Sequence, residues 1–191
     1  MKYDPPKHHR RSIRLKGYDY STAGAYFITI CTQNREILLD PQPVREMVQH
    51  WWDKLQEKFT DAQIDKFVIM PNHIHGIIFI VGADTRICPY NEHTGSGEDE
   101  HTGSPLHRIV QWFKTMTTNA YIQRVRQNEW QSFPGKFWQR NYYEHIIRNE
   151  KELSRIRQYI EENPLRWQFD RENPDGNIDE YEKEFWDAII P

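Results

Sequence analysis

The apolar positions of the chain change their spacing several times, and each change marks an element. "AYFITICT" (25–32) is rich in β-branched and aromatic residues and predicts a strand. Its apolar residues fall on both faces, which places it centrally in a sheet. "PVREMVQHWWDKLQEKF" (43–59) sets Val44, Met47, Val48, Trp51, Leu55 and Phe59 at helical spacing, with Pro43 near the start. "IDKFVIM" (64–70) predicts a second strand, Pro71-Asn72 a turn, and "HIHGIIFIV" (73–81) a third strand paired with the second as a hairpin. "LHRIVQWFKTMTTNAYIQRVRQNE" (106–129) predicts a second amphipathic helix with Ile109, Phe113, Met116, Ala120 and Val125 inward. "KFWQRNYYEHII" (136–147) predicts a fourth strand, and a helix follows over 150–163, stopped by Pro164. A short helix around 179–189 is also compatible with the pattern.

The order βαββαβ with a further helix predicts an α+β fold. It is a ferredoxin-like or RRM-like sheet with helices on one face and an added C-terminal helix. A basic extended arm occupies 1–20 and a single domain 21–168. A polar, Gly-rich loop is inserted at 82–104, and an acidic tail runs over 169–191. The insertion repeats "EHTGS" at 92–96 and 100–104, the mark of a duplicated, solvated loop.

Composition changes the picture in three places. No apolar run is long enough to predict a transmembrane helix. The basic N-terminus lacks the apolar core of a secretory signal. Cys31 and Cys88 lie far apart, outside any metal-type spacing, which fits a reducing cytoplasm. The net charge of −3 argues weakly against a nucleic-acid partner, but its distribution argues for one. Residues 1–16 carry six Lys/Arg against one Asp, and 105–169 carry eleven against six Glu. Residues 170–191 carry eight acidic residues against two basic ones. A basic body is masked by an acidic tail, and local basic surface attracts a phosphate backbone.

The candidate chemistry begins at His73 and His75. Strand alternation sends both to one face, with Cα atoms roughly 6.5–7 Å apart. Either the two imidazoles are satisfied by hydrogen bonds in a half-buried site, or they converge on one ion. The run from Gly76 to Val81 has no polar side chain, so an unused polar pair there is costly. A second group lies on the helix after strand four. Asn149 caps it with Glu152 at the third position, Leu153, Ile156 and Ile160 form its apolar stripe, and Tyr159 and Asn163 share its edge. By itself Tyr159 reads first as a boundary aromatic with a buried ring and a wet hydroxyl.

"RRSIRLKGYDYSTAGAYFITICTQNR", "FVIMPNHIHGII" and "FWQRNYYEHIIRNEKELSRIRQYIEENPLRW" together resemble the REP-associated tyrosine transposases. These are a branch of the single-tyrosine HUH transposases, and the resemblance spans about residues 10–168 in the same order. It implies that His73 and His75 are metal ligands, that Tyr159 is the nucleophile, and that Asn163 is a polar third ligand. Larger HUH transposases often have Gln at that last position, and Asn has a shorter reach. His145 falls in the family's "E-H" position and is expected near the site without an assigned role. The implied cofactor is Mg²⁺ or Mn²⁺; mixed imidazole and oxygen ligands suit Mn²⁺ better. The implied partner is single-stranded or hairpin DNA of the repetitive extragenic palindrome type, with no membrane and a monomer favoured over a homodimer. The expected location is the bacterial cytoplasm, at the nucleoid. Arg10, Arg11, Arg14, Lys16, Lys114, Arg140, Arg148, Arg155 and Arg157 are candidate DNA contacts. Trp112, Phe137 and Trp138 are expected in the core before they are expected on bases.

The implied reaction is metal-dependent cleavage and rejoining of DNA beside a hairpin through a 5′-phosphotyrosine. Two alternatives stand beside it. One is a non-catalytic hairpin-binding protein of the same fold. The other is a metal-dependent phosphodiester hydrolase using water.

Overall fold

Strand alternation and helical periodicity both materialise. The structure is a computed structural model that describes residues 23–81 and 104–189. Arg10, Arg11, Arg14 and Lys16 of the basic arm, and the insertion from 82 to 103 with Cys88, lie outside the described residues. Strands β1 (Gly24–Cys31), β2 (Ala62–Ile69), β3 (His73–Ile80) and β4 (Tyr143–Ile147) form one antiparallel sheet in the order β2-β3-β1-β4. Helices α1 (Gln42–Lys58) and α2 (Pro105–Arg126) complete a ferredoxin-like βαββαβ unit, and α3 (Glu150–Glu162) and α4 (Glu180–Ile189) follow it.

The two faces of the sheet pack against different helices. Tyr26, Ile28, Ile30, Ile74 and Ile78 meet Val44, Val48, Trp52 and Leu55 of α1 and Ile109, Val110 and Phe113 of α2. On the opposite face, Phe27 and Ile77 meet Leu153, Ile156, Tyr159 and Ile160 of α3 and Phe185, Trp186 and Ile189 of α4. The added helix that carries Tyr159 therefore covers the face that α1 and α2 leave open.

Three elements depart from the predicted pattern. In α1 it is Trp52 that is fully buried, while Trp51 stays partly exposed. Trp52 stacks on Phe67 with ring centroids 4.0 Å apart, over Gly76, where a Cβ would collide with the indole. In α2 the buried positions include Thr117 and Tyr121, whereas Met116, Ala120 and Val125 are half-buried. The Thr117 hydroxyl accepts the indole N–H of Trp138 at 2.8 Å, which makes a polar residue at home there. The fourth strand starts only at Tyr143. Upstream, Phe137 and Trp138 turn into the core. The Lys114 ammonium then donates to the backbone carbonyls of Gln139, Arg140 and Asn141, and the chain leaves the ladder. Among the described residues no helix is long and apolar enough to cross a membrane.

Candidate metal and tyrosine site

β3 delivers the first half of the site. His73 and His75 pair across the ladder with Cys31 and Thr29 of β1, so all four side chains share one face. That face is the one covered by α3 and α4. The two Nε2 atoms lie 2.9 Å apart. Two nitrogens each about 2.1 Å from one ion at a right angle sit about 3 Å apart, so this is a chelating separation. Burial holds both imidazoles neutral. It lowers His73 to about 3, with the Arg35 charge adding to the effect. It also lowers His75 well below its usual value, with His73 adding.

α3 delivers the second half. The Asn149 side chain caps the helix by accepting the Glu152 N–H at 2.9 Å. The Glu152 carboxylate accepts the Arg148 N–H at 2.6 Å and lies 2.8 Å from His145 Nε2. His145 is thus bound into the helix cap. Tyr159 projects from the buried stripe of α3, with its ring centroid 5.4 Å from that of His75. The α-helix ends at Glu162 with Asn163 as its cap, just before Pro164 as expected, and the chain goes on as a 3-10 stretch, Asn163–Phe169.

The segment after this stretch is acidic, and three of its carboxylates are buried while the others face solvent. It brings three carboxylates into the site, none of which the sequence singles out as a candidate. Asp170 Oδ2 lies 3.5 Å from His73 Nε2. His73, His75 and Asp170 offer ligand atoms all within 4.8 Å of one another. Glu172 is held by Arg35 at 2.7 Å and accepts the Cys31 thiol at 3.4 Å. Glu182 Oε1 accepts the Tyr159 hydroxyl at 3.0 Å, the Trp186 indole N–H at 2.8 Å and the Arg171 N–H at 3.1 Å. Burial pushes Asp170 up to about 7, opposed by the Glu172 N–H and by Asn163. Burial and the Asp170 and Glu182 carboxylates push the Tyr159 phenol well above its usual value.

The donor set fits a divalent cation. Asn163 Oδ1 and Asp170 Oδ2 are buried without a protein hydrogen-bond partner, and both are hard oxygen ligands. Together with two imidazoles they suit Mn²⁺ better than Mg²⁺. His73, His75, Tyr159, Asn163 and Asp170 are each at most 1% exposed. Phe185 of α4 stacks on Tyr159 with centroids 3.6 Å apart and seals it.

The basic candidates divide by what they touch. Lys114 is spent on three carbonyls, and burial lowers it to about 8. Arg157 pairs with Asp65 at 2.6 Å, and Arg155 donates to the Glu184 carbonyl at 2.8 Å. Arg140 and Arg148 are exposed. Trp112 is partly buried against the α1–α2 core, and Phe137 and Trp138 are buried in it.

Known proteins match this chain in three ways. The family model described as "Transposase IS200 like" matches residues 99–163, which include Tyr159 and Asn163. An uncharacterised protein of Haemophilus influenzae is 40% identical over 180 residues, covering 89% of this chain and 96% of its own. A REP-associated tyrosine transposase solved bound to a REP hairpin superposes with a TM-score of 0.55 at 21% identity, over 81% of this chain and 73% of its own. A putative transposase from Deinococcus radiodurans aligns with a TM-score of 0.42 at 14% identity, over 78% of this chain and 96% of its own. Residues 99–163 thus match the IS200-like transposase family, and the chain has the fold of a REP-associated tyrosine transposase.

Proposed function

We propose that this protein is a metal-dependent enzyme that cleaves and rejoins single-stranded DNA beside a hairpin. One observation carries the reading: the two Nε2 atoms and Asp170 Oδ2 converge beside Tyr159, with the Asn163 side chain against Asp170. His73, His75, Asn163 and Asp170 would hold Mn²⁺ or Mg²⁺. A bound ion supplies Lewis acidity to the scissile phosphate. Tyr159 Oη attacks phosphorus, the Oη–P bond forms, and the P–O3′ bond breaks. The phenol proton is lost and the departing 3′ oxygen becomes a 3′-hydroxyl. The 5′ end stays on the tyrosine, and attack by a 3′-hydroxyl on that phosphotyrosine rejoins the strand.

The hairpin held by the structurally similar transposase supports a hairpin substrate. Exposed Arg140 and Arg148 and the basic arm, with Arg10, Arg11, Arg14 and Lys16, are its phosphate contacts. Lys114 and Arg157 serve the fold first. Tyr159 faces a histidine of its own chain, which favours a monomer acting on its own site. Attack requires Phe185 and Glu182 to release Tyr159, because the hydroxyl is covered in this conformation.

The test uses Mn²⁺ and a labelled hairpin oligonucleotide with a single-stranded flank. Wild type is expected to form a denaturant-resistant protein–DNA adduct, and Tyr159→Phe to form none. Cleavage that survives Tyr159→Phe would instead establish hydrolysis by water. Binding without cleavage across several flanks would leave a hairpin-binding module.

A further inference from the structure

The hydrogen bonds behind the two imidazoles are not equivalent. Asn72, in the turn before β3, is fully buried, and its amide orientation is fixed by its neighbours. Nδ2 donates to the carbonyls of Arg35 at 3.2 Å and Glu172 at 2.7 Å. The flipped amide would set its oxygen against both carbonyl oxygens. Oδ1 therefore faces His73 Nδ1 at 2.8 Å, and an acceptor there requires an N–H on the ring. A neutral imidazole protonated at Nδ1 has a bare Nε2, aimed at His75.

His75 has a different support. Its Nδ1 lies 2.9 Å from Thr29 Oγ1, and a hydroxyl donates or accepts as it rotates. With Nε2 of His73 bare and only 2.9 Å away, the metal-free pair is satisfied when His75 carries its proton on Nε2 and donates across the gap. Thr29 then donates to Nδ1. A cation needs the Nε2 lone pair of His75 as well. The proton must then reside on Nδ1, where Thr29 accepts it.

We propose that Asn72 and Thr29 are positioning residues: Asn72 is a fixed clamp that keeps His73 ready for a cation, and Thr29 is a reversible one that lets His75 change tautomer when the cation binds. The proposal rests on the metal reading of the site and extends it to the residues that set ligand protonation. The Asn72 clamp is anchored further by its own carbonyl, which accepts the Thr32 N–H at 2.8 Å and the Thr32 hydroxyl at 3.0 Å.

Imidazole ¹⁵N spectra of the ¹⁵N-labelled protein test it, with Zn²⁺ as a diamagnetic probe. Without metal, His73 is expected as the Nδ1–H tautomer and His75 as Nε2–H. On adding Zn²⁺, both become Nδ1–H. Thr29→Val is expected to weaken Zn²⁺ binding by about 10–100-fold, and Thr29→Ser to restore it. Finding metal-free His73 as Nε2–H, an unchanged His75 tautomer on loading, or an unaltered affinity in Thr29→Val would overturn the proposal. The spectra need no DNA. If they behave as stated while no hairpin yields an adduct, the nicking reading fails and the positioning roles stand.

Discussion

The same strands present two faces, and the faces hold opposite chemistry. One face carries Tyr26, Ile28, Ile30, Ile74 and Ile78 into an aliphatic and aromatic core under α1 and α2. The other carries Thr29, Cys31, His73 and His75, buried among Asp170, Glu172 and Glu182. The first gains stability from every group it buries. The second buries polar and ionisable groups that cost free energy unless each finds a partner or an ion. Position 75 and position 76 are neighbours in sequence, yet one serves the site and the other the packing. The sheet thus separates an apolar core on one side from a face where the polar site sits beside a second apolar cluster, that of Phe27, Ile77, Ile156, Ile160 and Phe185.

The largest effect that would break this comparison is loss of Trp52. Its indole fills the space over Gly76 and stacks on Phe67. Trp52→Ala is expected to cost about 3–5 kcal/mol in urea denaturation. A loss below about 1 kcal/mol would mean that the apolar face collapses around the gap and contributes little rigidity.

On the polar face the expected sign is reversed at one residue. An ordinary Asp titrates at about 3.9, whereas burial raises Asp170 to about 7. Between those values the folded chain holds a proton that the unfolded chain has lost. The contribution of Asp170 is therefore full below about pH 4 and is lost as pH rises through about 7. His73 acts oppositely, since burial lowers it to about 3: its share is present above about pH 6.5 and lost as pH falls. Asp170→Asn removes only the contribution of Asp170. With chelator present, the variant is expected to be more stable than wild type at pH 8, by on the order of 1–3 kcal/mol. The gap should close near pH 4. Equal stability at pH 8 would show that Asp170 is not an uncompensated buried carboxylate.

The smallest effect lies at the rim of the polar face. Arg157 pairs with Asp65 and ties α3 to β2, with the two side chains 37% and 20% exposed. Arg157→Ala is expected to cost at most about 1 kcal/mol, less in high salt. Thermal melts at two salt concentrations measure it. A larger, salt-independent loss would place this pair in the structural frame of the site.

Much of this was legible because it is periodic. Alternation along "HIHGIIFI" places both histidines on one side, and helical spacing places Tyr159 and Asn163 one turn apart. Asp170, Glu172 and Glu182 were not legible, for a physical reason. Asp170 and Glu172 follow a 3-10 stretch where no repeating period fixes direction, whereas Glu182 shares the buried face of α4 with Phe185, Trp186 and Ile189 and is hidden only by its charge. A run of acidic residues ordinarily predicts a solvated surface. Only tertiary contact with Arg35, Tyr159, Trp186 and the histidines makes these carboxylates internal. The short fourth strand hides for a similar reason, since Lys114 reaches its upstream carbonyls from another helix.

The contact of Gly76 with Trp52 carries a consequence for how such sequences drift. A side chain cannot be added at 76 while an indole occupies 52, and an indole at 52 has no void to fill once 76 grows. Substitutions there must travel as a pair, a larger residue at 76 with a smaller one at 52. Each single intermediate passes through either a clash or a cavity. The histidine beside Gly76 inherits that restraint. The strand that aims it has little freedom to change, however freely the surface of the protein diverges.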